Sequence, residues 1–82
     1  MNQLEERIAL LITLHELSHM ACPTDLGVIA SRLGWGVGRV ARVIGALDDK
    51  GLVDRPRCRL TMAGLAMAAT LRAERAQAHR AA

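Results

Sequence analysis

Residues 15–19 read His15-Glu16-Leu17-Ser18-His19, a literal HExxH. On a helix this spacing sets two imidazoles one turn apart on a single face, where they can share a zinc ion while the glutamate acts as general base for a bound water. One branch of the hydrolytic sites built on this motif takes its third ligand shortly after a glycine turn behind the second histidine. Asp25 stands six residues beyond His19, where a third ligand could lie, but Cys22 takes the place of the glycine and Pro23 follows it. A chain of 82 residues also leaves almost no room for a substrate cleft. A regulatory zinc held by His15 and His19 at a subunit interface is the milder form of the same chemistry. In the plainest form His15 extends the Leu4, Ile8, Leu11 stripe as a core or interface residue. The expectation is that no metal is required. The sequence has no phosphate loop, no clustered carboxylates and no Ser/His/Asp set of recognisable spacing, so neither enzymatic activity nor a cofactor is expected.

The other residues able to do chemistry are cationic, and their distribution says more than the formal net charge of +3 and pI near 9.7. Residues 1–31 set Arg7 against Glu5, Glu6, Glu16 and Asp25, a net of −3. Residues 32–59 set Arg32, Arg39, Arg42, Lys50, Arg55, Arg57 and Arg59 against Asp48, Asp49 and Asp54, a net of +4. The remainder, with Arg72, Arg75 and Arg80 against Glu74, adds +2. Charge concentrated on one segment suits an acidic partner such as a nucleic-acid backbone, whereas charge spread evenly would only keep a surface wet.

The elements that must position these arginines follow from periodicity. Residues 37–50 place Val40, Val43, Ile44 and Leu47 at i, i+3, i+4 and i+7, one apolar stripe of a helix. Gly38, Arg39, Arg42, Gly45, Ala46 and Asp49 map to the other side, so two arginines one turn apart sit among small residues. Such a face can approach a groove closely, and a guanidinium suits bidentate contact with guanine or phosphate. Residues 52–55 and 59–61 read as short strands around Pro56, with Leu52, Cys58 and Leu60 toward the domain and Arg55, Arg57 and Arg59 away from it.

Upstream, residues 4–20 read as a helix with Leu4, Ile8, Leu11 and Ile12 on one side and a second stripe of Leu10, Leu14 and Leu17 displaced around the axis. Two apolar sides require two packing partners, one of which could be a second subunit. Pro23 breaks the chain, Thr24 or Asp25 supplies a cap, and residues 25–33 form a helix that directs Leu26, Ile29, Ala30 and Leu33 inward and ends at Gly34. Trp35 in the following turn is expected to cap the core. Thr61 looks like the N-cap of a last helix over residues 62–75, with residues 76–82 fraying.

Half of the chain, 51%, is apolar with only 1% aromatic, so the core must be aliphatic. Cys22 and Cys58 form no CxxC pair and read as free thiols in a reducing compartment. The apolar run 8–14 is too short to span a bilayer and is preceded by Glu5 and Glu6, not by a basic n-region, so a cytoplasmic location without membrane association is expected.

The order helix, helix, turn, helix, "DDKGLVDR", basic hairpin and "LTMAG" entering a helix resembles the winged helix-turn-helix of bacterial transcriptional regulators, especially the MarR-like group, over residues 24–65. This resemblance implies a mainly α fold of about four helices with a short two-stranded β wing, in one domain spanning residues 1–82. It implies that Gly38, Arg39, Arg42 and Ala46 occupy major-groove positions, that Arg55, Arg57 and Arg59 occupy wing positions, and that residues 24–61 form the DNA-binding core. Terminal helices, here 1–20 and 62–80, commonly form the dimer interface in such proteins, which would place Leu10, Leu14, Leu17, Met67 and Leu71 in it. The expected function is a homodimeric, sequence-specific regulator of double-stranded DNA, in all a repressor. The alternatives are a winged helix docking an acidic protein surface in a chromosome or mobile-element complex, and a zinc-responsive regulator. The wing is shorter than in typical MarR proteins and the terminal helices are too short to enclose a ligand pocket, which argues against control by a small aromatic acid.

Overall fold

The computed structural model describes residues 2–20 and 24–81. Among them are four helices, α1 (Gln3–Ser18), α2 (Leu26–Leu33), α3 (Val37–Asp49) and α4 (Met62–Ala81), with strands β1 (Val53–Asp54) and β2 (Arg59–Leu60) between the last two. The chain is mainly helical, with a short antiparallel hairpin as its wing. No helix among the described residues is long and apolar enough to cross a membrane.

Local chemistry sets each boundary. The Asn2 side chain accepts from the Glu5 N–H at 2.8 Å and starts α1, and Asp25 accepts from the Val28 N–H at 2.8 Å and starts α2. Gly34 and Gly51 close α2 and α3 with φ of 71° and 73°, a left-handed conformation that glycine adopts without steric cost. At the end of α3, Gly51 N–H donates to Asp48 O at 2.9 Å and Leu52 N–H to Leu47 O at 3.0 Å, which together make a Schellman closure. Thr61 starts α4, accepting from the Gly64 N–H at 3.1 Å while its hydroxyl donates to Gly51 O at 2.7 Å.

α1 is the hub, packing on α2, α3, α4 and β2. Leu10, Leu11, Leu14 and Leu17 are buried in it, against Ile29 and Ala30 of α2, Val40, Val43, Ile44 and Leu47 of α3, Val53 of β1 and Ala68 of α4, and Ile12 is buried as well. Full burial of each large aliphatic contributes about 1.5–3 kcal/mol. This overturns one expectation: Leu10, Leu14 and Leu17, at 0%, 3% and 3% exposure, are core residues of a single chain and not a surface stripe awaiting a second subunit. The reason is that both sides of α1 find partners within the chain. Of the other residues expected at an interface, Met67 is 44% exposed and Leu71 is half-buried against the core.

Two further boundaries differ from expectation. α4 continues to Ala81 rather than fraying after residue 75, in keeping with the helix propensity of its alanines. The hairpin is tighter than a period of two suggests. Leu52 belongs to the α3 closure, so Val53, paired with Leu60, is the inward residue, and residues 55–57 form a 3-10 turn rather than strand. Cys58 completes that turn with φ of 51°.

Candidate nucleic-acid interface

α3 is pinned by four buried side chains, which fixes the opposite face toward solvent. That face is floored by small residues: a Cβ at Gly38 would meet only open space, and one at Gly45 would meet the Arg55 guanidinium at 3.9 Å. Arg55 therefore lies over α3 beside Gly45, one turn from Arg42. The Arg55 N–H donates to the Asp48 carboxylate at 3.4 Å, tying the wing turn to the end of α3. Arg55, Arg57 and Arg59 are all exposed, and Arg57 pairs with Asp54 at 3.4 Å across one turn.

Arg39 departs from its expected place. Its Nε donates to Glu6 Oε2 at 2.6 Å and its guanidinium stacks 4.4 Å from the centre of the Trp35 ring, so it braces α3 against α1 and the α2–α3 turn rather than reaching outward. Trp35 itself packs against the core as its position predicts. Arg42 also donates to Glu6, at 3.1 and 3.3 Å, yet its side chain remains 57% exposed and its other donors stay available. The Arg39 hydrogen bond, with Arg42 adding to it, holds the Glu6 carboxyl below its ordinary value of 4.5 despite burial, so Glu6 is anionic. Ala46 is half-buried on the Arg42 side, where α1 and α3 border a cleft.

Glu6 was not singled out by its sequence context beyond suiting the start of a helix, although its phase was informative. It lies four residues before Leu10 and eight before Leu14, on the buried side of α1. A carboxylate in that phase needs a cationic partner, and the arginines of α3 supply it.

His15 and His19 do stack, with ring centres 4.7 Å apart and edge to face. Arg72 of α4 lies 2.9 Å from His15 Nδ1; since a guanidinium can only donate, that nitrogen accepts and the imidazole is neutral. Burial, then the neighbouring His19 and Arg72, push its pKa below the ordinary 6.5. Among the described residues no group of three or more His, Cys, Asp or Glu converges as an ion site. Cys22, the alternative ligand, lies outside the described residues, and Asp25 is engaged as the α2 cap. Burial and the Asp25 charge hold the Cys58 thiol above its usual range, which makes it a poor nucleophile.

No protein-family model, curated protein or solved structure matches this chain.

Proposed function

We propose that this chain is a DNA-binding transcriptional regulator of the winged-helix kind, similar to the MarR-like group, acting in the cytoplasm as a homodimer and without catalysis. The observation that carries the reading is the Arg55 guanidinium lying against Gly45, one helical turn from Arg42. This arrangement joins wing and helix into one basic surface over a glycine floor. In a major groove, Arg42 reads base edges over Gly38 and Gly45, while Arg55, Arg57 and Arg59 follow the phosphates or the adjacent minor groove. Arg39 acts indirectly, by holding Glu6 and Trp35 and so the angle of α3.

Selection from random duplexes tests this. An enriched site should lose about 1–3 kcal/mol with Arg42→Ala and little with Arg39→Lys, while Arg57→Ala and Arg59→Ala weaken all duplexes alike. Absence of enrichment, with every arginine variant equal on every duplex, removes sequence reading from the proposal. Docking to a protein of mixed charge is the second reading, and the exposed Asp48 and Asp49 at the end of α3 favour it. Asp49→Asn discriminates between the two: it strengthens DNA binding but weakens a protein contact that uses the carboxylate.

A further inference from the structure

A cleft of about 200 Å³ opens between the start of α1 and the middle of α3, lined by Gln3, Glu6, Arg7, Arg42, Val43 and Ala46. Arg7 stands in its wall half-buried, and among the described residues it makes no hydrogen bond or ion pair. Its nitrogens remain open to water, because no buried side-chain nitrogen or oxygen among the described residues lacks a partner, so its five donors are available to a ligand in the cleft. Across the cleft, Arg42 spends Nη2 on Glu6 and keeps its remaining donors. Glu6 adds one negative charge to the wall, but that charge is already met from the far side by Arg39 at 2.6 Å. Two guanidinium groups thus hold the Glu6 carboxylate, while Arg7 and Arg42, which both line the cleft, keep donors available.

We propose that this cleft binds a phosphate group, which in the complex is a backbone phosphate of duplex DNA, held by the Arg7 guanidinium and the Gln3 amide, with Arg42, turned toward the base edges, adding its positive charge from α3. The DNA source rests on the function proposed above; the anion chemistry does not. A phosphodiester presents two non-bridging oxygens, which one guanidinium fork can meet with two parallel hydrogen bonds. The cleft shares Arg42 and Ala46 with the α3 face, so a phosphate seated there belongs to the strand bordering the groove that α3 enters. The start of α1 thereby becomes part of the nucleic-acid surface, and Arg7, in the segment whose net charge is negative, is its contact.

Two measurements test the site separately from the function. In the first, inorganic phosphate is titrated into the nitrogen-labelled chain while the Arg7 and Arg42 Nε–H resonances are followed. Both are expected to shift saturably, and the Arg42 shift is expected to vanish in Arg7→Gln. In the second, a labelled random duplex is titrated at several salt concentrations. Arg7→Gln is expected to weaken binding several-fold and to lower the slope of log affinity against log salt by about one, with Arg7→Lys restoring most of it. Arg7 has no partner in the free chain, so its loss should not lower the melting temperature. Ala46→Asp, which brings a carboxylate into the cleft from α3, should reproduce the loss independently. If duplexes bind and Arg7→Gln matches the parent in affinity and slope, the phosphate site is wrong while DNA binding stands. If no duplex binds but phosphate shifts both arginines, the anion site stands and the proposed function fails. If phosphate moves neither resonance and no duplex binds, both are overturned.

Discussion

At the scale of single residues, two ionisable groups make the fold respond to acid in the same direction for different reasons. Glu6 is stabilised as an anion by Arg39 and then Arg42, so its contribution is present above its ordinary value of 4.5 and is lost as pH falls through its lowered value. His15 is stabilised as a neutral ring by burial and by Arg72, which donates to Nδ1, with His19 adding repulsion and Glu16 opposing both. Below its ordinary 6.5 the unfolded chain takes up a proton that the folded chain resists, so stability falls with pH in that window and is fully present above it. We expect the urea midpoint to decline between about pH 7 and about pH 5, and His15→Gln to flatten that decline while leaving the steeper loss in more acid solution, which belongs to Glu6. An unchanged decline in His15→Gln would show that another group titrates there. For Glu6→Gln the expected sign is reversed between its two roles. The melting temperature drops because Arg39 and Arg42 lose their shared counter-charge, whereas affinity for any duplex rises because Arg42 is released. Binding isotherms and melts on the same sample separate these effects.

At the scale of elements, glycines divide according to what surrounds them. A Cβ at Gly64, in the first turn of α4, would overlap the Leu52 carbonyl oxygen, because α4 crosses the chain directly where α3 hands over to β1. Gly64→Ala is therefore expected to destabilise by about 1–3 kcal/mol even though alanine is the better helix former by roughly 1 kcal/mol. Gly45→Ala meets only ordinary contact with Arg55 and should stabilise by about 0.5–1 kcal/mol, at some loss of duplex affinity if the glycine floor is used for close approach. Thermal melts of the two variants, opposite in sign, check both. The same elements show which signals a sequence carries. Caps and closures were legible because they are local: Asp25, Gly34 and Thr61 act within a few residues of themselves, and the apolar stripe of α3 needs no knowledge of its partner. The wing was only partly legible, since Leu52 satisfies α3 before it can join a strand, and the resulting 3-10 turn depends on that register. The Arg39 and Arg42 contacts were hidden because Glu6 is 33 and 36 positions away, and only packing brings α1 across α3. The two stripes of α1 were visible, but periodicity shows that a helix is buried on two sides, not which chain covers it.

At the scale of the whole molecule, α1 lies at the centre, and α4 is the helix with the most uncovered surface. Met62 and Met67 are 84% and 44% exposed, and residues 72–78 of α4 are exposed on every side. A helical segment so short and uncovered is marginal in water on propensity alone, so a partner that covers it would be stabilising. A homodimer built on α4 is thus expected, with Met67 near its centre and Leu71 at the edge of the core. Two glutamate substitutions separate this from an interface on α1. Leu14→Glu places a charge at a position 3% exposed and deletes a packed leucine, and it should unfold the chain by more than about 4 kcal/mol rather than yield a folded monomer. Met67→Glu touches exposed surface only, so helicity should persist while light scattering at tens of micromolar reports half the parent mass. Should Leu14→Glu remain folded and monomeric while Met67→Glu stays dimeric, α1 would be the interface and the packing described for it would be wrong. Should the parent itself be monomeric across that range, α4 is uncovered in solution, and one chain must bind its duplex alone, with a salt slope reflecting the arginines of a single wing and cleft.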